Sequence, residues 1–480
     1  MLSEQQQGVL FGGTRDESHC QTLRAGPVSL SFIDGELRYL RVGDHEVIRR
    51  IYFAVRDTAW DTAMPVFSQV KFSPDHDSFR IDQEAECHNS TVHYRWKGRI
   101  EGSNDGTIVF SADGEALDDF ESPRIGICVL YGAEALAGRQ FQIVNQDDRL
   151  CAAAFPHLIS PTLIAEQFSA LRYRTACGIQ LSATLAEGLF DMEDQRNFGD
   201  SSFKAFCGHP YTSAPLRKGD RGSQRLAVRV KVGKPGVSAP ASGPIRITAA
   251  NAHRATVPRL SGPQASAPDQ KIFATVNRAR ERFIGQPKVT FQFSPAVHLF
   301  DDQTLMENTS AVIDQIQTLR SFAGAVTVRV DPVLIDSHHP RPGRDMRNRG
   351  LVAAAWCARM VKHLAMAGAD EAVLDVDGPY ARLVLDMLHQ QQGQCLEATS
   401  AAVHGPVDAF VLGQQVLWLI NKTHQMRDVK LALPGRPGQV AMKRLRPKAP
   451  ARWEQGAAQR LAAGTITVGL EPFEVVTVAL

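Results

Sequence analysis

The densest polar cluster of the sequence is the segment FDMEDQRNFGDSSFK at residues 190–204. Its adjacent carboxylates are Glu193 and Asp194, and because successive side chains of an extended strand point to opposite faces, we expect them to face different sides. Three side chains that bind carboxylates or sugar hydroxyls follow: Arg196, Asn197 and Lys204. A carboxylate held beside a cation suits acid–base catalysis. The alternative is a solvated charged loop with local salt bridges.

Two further candidates lie after predicted strands, in the loops where βα folds place their active sites. Asp377 follows the apolar segment Ala372–Val376 and is a candidate catalytic carboxylate. His298 follows the strand predicted at Val289–Phe293 and is a candidate substrate-binding residue at the same edge. The alternative for Asp377 is a cap or turn residue before the next helix.

A basic segment with the sequence SHHPRPGRDMRNRG at residues 337–350 contains four arginines. It either closes over an anionic sugar acid or is a surface loop. The chain has no GxSxG, P-loop, GxGxxG or HExxH motif. The usual sequence signals of a serine hydrolase, a nucleotide-binding protein or a zincin are therefore missing. We expect neither a cofactor nor a metal at the site.

The composition is that of a folded globular protein. Of the 480 residues, 44% are hydrophobic and 22% charged, and the length corresponds to roughly two to four domains. Lys and Arg number 53 and Asp and Glu 51, which is not the basic surplus of a nucleic-acid-binding protein. The eight cysteines form no CxxC pair, and neither a signal peptide nor an apolar run of about 18 residues occurs. We expect a cytoplasmic protein with reduced thiols that binds neither nucleic acid nor a membrane.

The elements that must position the candidate side chains change along the chain. Residues 1–232 consist of short alternating stretches separated by turn sequences, among them Asp34-Gly35, Asn104-Asp105-Gly106 and Asp113-Gly114. This pattern predicts an antiparallel β-sandwich. Residues 233–270 are rich in Pro, Ser and Ala, and they predict a linker or a loosely packed crossing.

Over residues 271–405 apolar strands alternate with amphipathic helices, as βα units require. Thr304 and Glu307 have the spacing of a capping box at the start of one helix. Another helix is predicted over Leu351–Ala367, where apolar side chains recur at i+4 steps. Its opposite side carries three polar residues: Arg359, Lys362 and His363.

The stretch from about residue 240 to about residue 400 is too short for a complete barrel, because it offers about 160 residues and a (β/α)₈ barrel typically needs about 250. We expect a partial TIM-barrel-like domain with fewer than eight parallel strands. Its open edge would be covered by the sandwich, by the linker, or by a second copy of the chain in a homo-oligomer. Residues 406–480 return to strand alternation and predict a small C-terminal β-domain. The predicted fold class is therefore multidomain α+β.

Four segments of the N-terminal region resemble the D-apionate lactonase family of carbohydrate catabolism: LRAGPVSLSFIDGELRYLRVGDHEVIRRIYFAVRDTAWDT, SPRIGICVLYG, AFPHLISP and FDMEDQRNFGDSSFKAFC. The resemblance continues through FSPAVHLFDDQTLMENTSAVIDQIQTLRSFAG and GLVAAAWCARMVKHLAMAGADEAV, and it reaches LWLINKT. It implies a β-sandwich, a barrel and a C-terminal β-layer, and hydrolysis of a sugar-acid lactone to the open-chain acid. The choice of candidate site residues rests on the physical arguments given above and not on this resemblance.

Three functions are consistent with these observations. In the first, the protein hydrolyses a small sugar lactone: Glu193 or Asp194 activates water, and Arg196 or Lys204 holds the lactone carbonyl or the product carboxylate. In the second, the protein is a catalytically degenerate homologue that acts as a structural or regulatory subunit. The third is a glycoside-processing enzyme, which needs Asp377 and another acid about 5 to 10 Å apart. The partner expected for the first function is a small sugar lactone or sugar acid.

Overall fold

The computed structural model describes residues 2–14, 20–207, 215–232, 245–246, 253–262, 271–296, 300–336, 344–398, 405–433, 439–460 and 465–480. The chain divides into two compact units. The sheet unit comprises Glu17–Gln195 and Ser202–Ala241, and the mixed unit comprises Met1–Asp16, Arg196–Ser201 and Ser242–Leu480. The domain boundaries inferred from the sequence stay predictions.

The α-helices are α1 (Glu4–Phe11), α2 (Ala133–Leu136), α3 (Phe273–Arg278), α4 (Asp302–Glu307), α5 (Ala311–Ala323), α6 (Leu351–Ala367) and α7 (Pro379–His389). Only α2 lies in the sheet unit, within the part of the chain that the structure describes. None of the helices in the described ranges has both the length and the hydropathy of a membrane span. The chain as a whole is rich in β-structure.

The sheet unit contains one sixteen-stranded antiparallel sheet. Its strands are β1 (Cys20–Ala25), β2 (Val28–Ile33), β3 (Glu36–Val42), β4 (His45–Val55), β5 (Pro65–Pro74), β6 (Phe79–His88), β7 (His93–Gly102), β8 (Thr107–Ala116), β9 (Ile125–Gly132), β10 (Gln140–Asn145), β11 (Leu150–Ala154), β12 (Ala165–Arg174), β13 (Gln180–Ala186), β14 (Phe190–Asp194), β15 (Ser202–Cys207) and β16 (Arg221–Lys231). They are ordered β1-β2-β3-β4-β9-β15-β14-β12-β13-β16-β8-β7-β6-β5, with β10 and β11 attached at β12.

The large sheet surrounds a single hydrophobic core to which strands from both ends of the order contribute. The ring of Phe32 on β2 meets the ring of Phe72 on β5 edge to face, with centroids 5.0 Å apart. The Gln83 side-chain amide on β6 donates a 3.1 Å hydrogen bond to the carbonyl of Gly35. The two ends of the sheet therefore approach each other, and the sheet is nearly closed around its apolar face.

Glycines at two of the predicted turns have different roles. Asp34 and Gly35 join β2 to β3 with φ values of 48° and 86°, which confirms the predicted tight turn. Gly114, by contrast, lies within β8, so the turn predicted at Asp113-Gly114 is wrong. A Cβ atom on Gly114 would lie 2.2 Å from the hydroxyl oxygen of Tyr94. Glycine is therefore required here for the close packing of a neighbouring ring, and not for a turn.

Over the described residues, the mixed unit contains a four-stranded parallel sheet and three other sheets of seven, three and two strands. Its strands are β17 (Ile245–Arg246), β18 (His253–Thr256), β19 (Arg259–Ser261), β20 (Lys288–Phe293), β21 (Thr327–Val333), β22 (Glu371–Leu374), β23 (Cys395–Ala398), β24 (Val407–Leu412), β25 (Val416–Asn421), β26 (Arg427–Ala432), β27 (Gln439–Val440), β28 (Met442–Leu445), β29 (Glu454–Gln455), β30 (Gln459–Arg460), β31 (Thr465–Leu470) and β32 (Val475–Ala479). Over the described ranges the parallel sheet has four strands, in the order β19-β22-β21-β20.

The other strands of the mixed unit pair mainly antiparallel. The larger sheet has the order β18-β23-β24-β25-β32-β28-β29, and the two others are β17-β26-β31 and β27-β30. Strands β17 to β19 lie within residues 233–270, where composition alone predicts a linker or crossing. The short strand β19 is the edge of the parallel sheet, and three residues are too few for an alternation pattern to reveal them.

The N-terminus of α4 differs from the predicted capping box. The side chain of Asp301 caps this helix and accepts a 3.0 Å hydrogen bond from the Thr304 backbone N–H. The box predicted from Thr304 and Glu307 is therefore wrong, because the helix begins at Asp302 and Thr304 lies inside its first turn, where Asp301 is the cap. The helix also ends at Glu307, and a 3₁₀ turn over Asn308–Ser310 separates it from α5.

Helix α6 has the predicted bounds, but it is buried on all sides. The three polar residues predicted on its outer side are all buried: Arg359, Lys362 and His363. Asp408 on β24 explains this difference, because its carboxylate accepts a 2.8 Å hydrogen bond from Nε of Arg359 and a second from Lys362. Nδ1 of His363 lies 3.0 Å from the Thr309 hydroxyl. The prediction of a polar outer side is wrong, since a strand distant in sequence supplies the counter-charge.

The ion cluster of Arg359, Lys362 and Asp408 makes the stability of the mixed unit sensitive to acid. Burial opposes ionisation of Asp408, but the charges of Lys362 and Arg359 outweigh burial and hold the pKa of this carboxyl well below its usual range. Removing one member of a buried ion pair leaves an uncompensated charge in the interior, which typically costs about 3 to 5 kcal/mol.

We predict that Asp408→Asn lowers the free energy of unfolding at neutral pH by about 3 to 5 kcal/mol, measured by urea denaturation. A depressed carboxyl pKa stabilises the fold above the pKa of the unfolded chain, about 3.9, and this stabilisation is lost as the pH falls through the folded-state value. The difference between wild type and Asp408→Asn should therefore stay constant from about pH 7 to about pH 5 and shrink below about pH 4.

The matched control is Asp386→Asn, which removes a carboxylate from the exposed side of α7. It should change the free energy of unfolding by no more than about 0.5 kcal/mol. Equal losses in the two variants would show that the buried ion cluster contributes nothing specific.

Candidate functional site

Three carboxylates and one guanidinium meet at the carboxyl end of the parallel sheet. Asp336 lies three residues after β21, and Asp375 and Asp377 lie one and three residues after β22. Arg344 contacts all three: Nη2 lies 2.7 Å from Oδ1 of Asp375, Nη1 lies 3.1 Å from Oδ2 of Asp377, and Nε lies 4.0 Å from Oδ2 of Asp336. We call Asp336, Arg344, Asp375 and Asp377 the carboxyl-edge cluster.

The carboxyl-edge cluster is open to solvent. The side chains of Arg344 and Asp377 are 43% and 45% exposed, and those of Asp336 and Asp375 are partly exposed. Burial lowers the pKa of Arg344, but the charges of Asp375, Asp377 and Asp336 outweigh burial and raise it. The guanidinium is therefore a permanent cation that a small molecule can reach, with carboxylates on its sides.

A buried polar layer holds Asp336 in place. Its Oδ1 accepts a hydrogen bond from the backbone N–H of Asp345, and its Oδ2 accepts one of 3.1 Å from the Asn348 side chain. Arg347 pairs with Asp345 and, at 3.4 Å, with Asp302. Burial lowers the pKa of Arg347, but its hydrogen bond and charge interaction with Asp345 outweigh burial and raise it. These contacts pre-orient a carboxylate in the way that a functional site requires.

Asp377 does not cap the following helix. The N-cap of α7 is Gly378, which makes no side-chain capping bond, and Pro379 is the first helical residue. The sequence suggested either a catalytic carboxylate or a cap or turn residue at Asp377. Among the described contacts Asp377 makes no capping hydrogen bond, and it forms an ion pair with Arg344 instead. A Cβ atom on Gly378 would lie 1.7 Å from the carbonyl oxygen of Asn348, so the start of α7 approaches the layer behind Asp336 very closely.

The polar segment at residues 190–204 is divided between the two units. Glu193 and Asp194 lie at the end of β14, and Gln195–Phe198 forms a 3₁₀ turn, so the segment is not one extended strand. Arg196–Ser201 belongs to the mixed unit, and Lys204 returns to the sheet unit on β15.

Arg196 and Asn197 contact elements of the mixed unit near the carboxyl end of β20. Nη1 of Arg196 lies 3.2 Å from Oδ2 of Asp314 on α5, and Oδ1 of Asn197 accepts a 2.8 Å hydrogen bond from Asn277 on α3. Both Arg196 and Asn197 are buried. Gly199, at φ 98°, lies so close to β20 that a Cβ atom would be 2.4 Å from the Ser294 carbonyl oxygen. The polar groups of Arg196 and Asn197 are thus engaged by the protein itself.

Glu193 and Asp194 face opposite sides of β14. Glu193 lies directly opposite Lys204 on β15, and Nζ of Lys204 is 2.8 Å from its Oε1. Asp194 is buried, and its Oδ2 accepts a 3.2 Å hydrogen bond from the backbone N–H of Ser160. Glu193 is partly exposed and Asp194 is not, so only Glu193 is accessible to a small molecule.

His298 lies outside the described residues. The structure adds two carboxylates, Asp336 and Asp375, and the cation Arg344 to the predicted Asp377. The sequence contained a signal for Asp375, which precedes Asp377 by two residues after the same strand. Arg344 is part of the basic segment at residues 337–350. No sequence pattern connects Arg344 with these carboxylates, since Asp375 and Asp377 lie 31 and 33 positions away from it.

A cavity of about 610 Å³ lies at the other end of the parallel sheet. Its walls include Arg259, where β19 begins, and Asp370, which directly precedes β22. Its arginines are paired, Arg254 with Glu397 at 3.0 Å and Arg259 with Glu371 at 3.6 Å. In barrel folds this amino end contributes to stability and the carboxyl end to catalysis, so we take the carboxyl-edge cluster as the candidate active site.

Over the described ranges, no group of three or more His, Cys, Asp or Glu side chains is arranged to hold a metal ion.

Comparison with known families identifies the class of protein. The family model for the D-apionate lactonase N-terminal domain matches residues 9–233, and that for the D-apionate lactonase TIM barrel domain matches residues 226–381. Together they span residues 9–381, more than three quarters of the 480 residues. The chain therefore belongs to the D-apionate lactonase family, as the resemblance predicts.

Individual relatives are more distant. A D-apionate lactonase of Brucella anthropi is 28% identical over 199 residues, which are 41% of this chain and 33% of the relative, so the match spans a third of that protein. CelM2, a bifunctional glucanase-xylanase from a metagenome library, aligns with 40% of this chain and 43% of its own at 10% identity and a TM-score of 0.31. The Slr1438 protein of Synechocystis sp. PCC 6803 aligns with 46% of this chain and 98% of its own at 11% identity and a TM-score of 0.33. Because both TM-scores are below 0.5, these structural similarities support no conclusion about function.

We predict that Gly378→Ala lowers the free energy of unfolding by about 1 to 3 kcal/mol, because its Cβ would overlap the Asn348 carbonyl oxygen. The φ of Gly378 is −68°, an ordinary value, so the loss measures this overlap and not backbone strain. Gly8→Ala in α1 is the control, since its Cβ meets nothing within 4 Å. It should be neutral or stabilise by up to about 1 kcal/mol. Equal stability of the two variants in urea unfolding would contradict the close approach.

Proposed function

We propose that this protein hydrolyses a small sugar-acid lactone, of the D-apionolactone type, to the open-chain acid in carbohydrate catabolism. Family membership supports lactone hydrolysis as the reaction class. The observation that carries the site assignment is the convergence of Arg344 with Asp336, Asp375 and Asp377 at the carboxyl end of the parallel sheet. A cation flanked by carboxylates is what opening a cyclic ester requires.

The proposed roles follow from the chemistry of a lactone. A carboxylate takes a proton from water, whose oxygen attacks the carbonyl carbon, and a cation stabilises the negative charge that develops on the carbonyl oxygen. The ring C–O bond then breaks, and the ring oxygen leaves as a hydroxyl with the proton that the carboxylate returns. Asp377 is the proposed base, because it is the most exposed carboxylate of the cluster and Arg344 contacts only its Oδ2. Arg344 is the proposed oxyanion-stabilising group.

The layout that we propose for the whole molecule is an N-terminal antiparallel β-sandwich, a partial barrel and a small C-terminal β-domain. Its support is the single core inside the large sheet, the four parallel strands over the described ranges, and the antiparallel sheet that contains β24, β25 and β32. A cytoplasmic location, a small-molecule lactone or acid as the partner, and assembly into a homo-oligomer belong to the same proposal.

A catalytically degenerate homologue is the second candidate. It is favoured by the four parallel strands over the described residues, compared with eight in a complete TIM barrel. In that case the carboxyl-edge cluster is an ion network left from an ancestral site. Activity measurements separate the two candidates.

We predict that the wild type opens aldonolactones, including D-apionolactone, and that Asp377→Asn lowers kcat/KM by about a hundredfold or more, the usual contribution of a positioned general base. Arg344→Ala should lower it by a similar factor, because the oxyanion loses its cation. The measurement is lactone hydrolysis followed by proton release, alongside melting temperatures. Asp386→Asn on α7 is the control for the loss of one surface carboxylate and should hydrolyse the lactones at the wild-type rate.

The variant Glu193→Gln tests the catalytic base that the sequence alone suggested. A loss of about a hundredfold in Glu193→Gln with normal activity in Asp377→Asn would move the base to the sheet unit. A wild type that opens no lactone above background would remove the enzyme hypothesis and leave the degenerate homologue.

A further inference from the structure

On the face that points away from its main core, the large sheet carries a small buried cluster with charged side chains beside it. Strand alternation places Tyr52 of β4, Cys128 of β9 and Phe206 of β15 on this face, where they are register partners in one row and form a small cluster apart from the main core. Arg124 directly precedes β9 and lies on the same face as Cys128, four residues away. The ion pair of Glu193 and Lys204 lies on this face too, because Lys204 is two residues before Phe206 on β15.

The guanidinium of Arg124 lies close to two aromatic rings. Its Cζ is 3.2 Å from the centroid of the Phe206 ring and 5.3 Å from the centroid of the Trp60 ring. Burial lowers the pKa of Arg124, and the charge of Glu193 partly opposes this effect, so the group stays a cation at neutral pH. Nη1 of Arg124 is buried and meets no hydrogen-bond acceptor in the described part of the chain.

Tyr52 is a second buried donor on this face. It is 4% exposed, and its hydroxyl also lacks a hydrogen-bond partner among the described residues. Burial raises the pKa of Tyr52 well above its ordinary value, so the hydroxyl keeps its proton and can donate. A buried donor without an acceptor costs about 1 to 3 kcal/mol. Tyr52 and Arg124 thus provide two donors on one face whose hydrogen-bonding capacity the oxygen acceptors of a ligand would satisfy.

Trp60 is an exposed aromatic side chain on the turn that follows β4. It is 53% exposed, with a left-handed φ of 69°, which is costly for a bulky residue and is maintained only by local contacts. The backbone N–H of Trp60 donates to the Asp57 carbonyl at 2.9 Å, and Nη1 of Arg56 donates to the Trp60 carbonyl at 3.0 Å. The turn thus holds a large ring in water beside the cation of Arg124.

We propose that Trp60, Arg124 and Glu193, which lie over the buried rings of Tyr52 and Phe206, form a binding site for a sugar acid, and we call these five residues the Arg124 face. The fork of an arginine matches a carboxylate, the indole face of Trp60 covers the C–H face of a sugar ring, and the Glu193 carboxylate accepts hydrogen bonds from hydroxyls. The acidic side chains of Glu193 and Asp191 near Arg124 disfavour a phosphate dianion. The site lies in the sheet unit, and the inference does not rest on the proposed lactone hydrolysis.

The test measures binding of D-apionate, D-gluconate and D-galactonate to the full chain by calorimetry and by tryptophan fluorescence. We expect saturable binding of at least one aldonate with a fluorescence change. Trp60→Ala should weaken binding by about tenfold or more and remove the fluorescence change. Trp60→Phe should bind within about threefold of wild type but give no fluorescence change, because it keeps a ring and loses the reporter.

Variants of the guanidinium define the charge requirement. Arg124→Gln should weaken aldonate binding by about tenfold or more, and Arg124→Lys should restore little of it, because an ammonium lacks the planar fork. Two exposed residues of the same unit serve as controls, Arg217→Gln for loss of a surface charge and Leu150→Ala for loss of exposed apolar area. Both should bind as wild type. If Arg124→Gln fails to fold, the Trp60 variants still decide the question.

Three results would overturn the proposal. One is no saturable binding of any aldonate, and another is wild-type binding by both Trp60→Ala and Arg124→Gln. The third is that inorganic phosphate, or the uncharged sugar D-glucose, binds as tightly as the aldonates. Because a sugar acid is also the product of the proposed reaction, binding is repeated in Arg344→Ala. Binding that survives in Arg344→Ala and is lost in Trp60→Ala belongs to the Arg124 face, even where the protein hydrolyses no lactone.

Discussion

The arrangement of the mixed unit depends on the buried charge of Asp408. Its carboxylate is fully buried, and it is paired with Arg359 and Lys362, which are one turn apart on α6. Two long side chains that must both reach one carboxylate specify the rotation and the position of the helix against β24, which apolar packing alone does with less precision. Since α6 also contacts α1, α5 and α7, the orientation of this helix determines where its neighbours lie.

The carboxyl-edge cluster is connected to this helix through its first residues. Helix α6 begins at Leu351, and the short 3₁₀ turn Met346–Arg349 immediately before it supplies Arg347 and Asn348, which hold Asp345 and Asp336. The start of α7 leaves no room for a side chain next to Asn348. The exposed, charged cluster therefore stands on a rigid buried base, which is the combination that a binding or catalytic site needs.

The sheet unit uses strand alternation to form two different faces. One face builds a large apolar core, and the other carries Tyr52, Arg124, Phe206 and the pair of Glu193 with Lys204. Burying cations, carboxylates and rings together on a face that is not the main core reduces the stability that the same area of aliphatic side chains would provide. A loss of stability of this kind is typical of a surface that serves recognition.

Much of the local structure followed from the sequence, because its causes are local. Alternation predicted the antiparallel strands before residue 232, φ-permissive residues predicted the turn at Asp34-Gly35, and apolar spacing predicted α6 with the observed ends. The sequence also indicated that residues 190–204 and the loop after β22 carry polar side chains of the kinds that sites use.

Only the tertiary structure decided which polar residues are buried, paired or brought together. Periodicity placed Arg359 on the polar side of α6. That side is buried in the structure, because Asp408, 49 positions along the chain, pairs with Arg359 there. Gly114 has the sequence of a turn, but the ring of Tyr94 needs its space within a strand. Asp377 became part of a cluster because Arg344 reaches it from 33 positions away. Burial and charge pairing depend on partners remote in sequence, and no local pattern records where those partners come to lie.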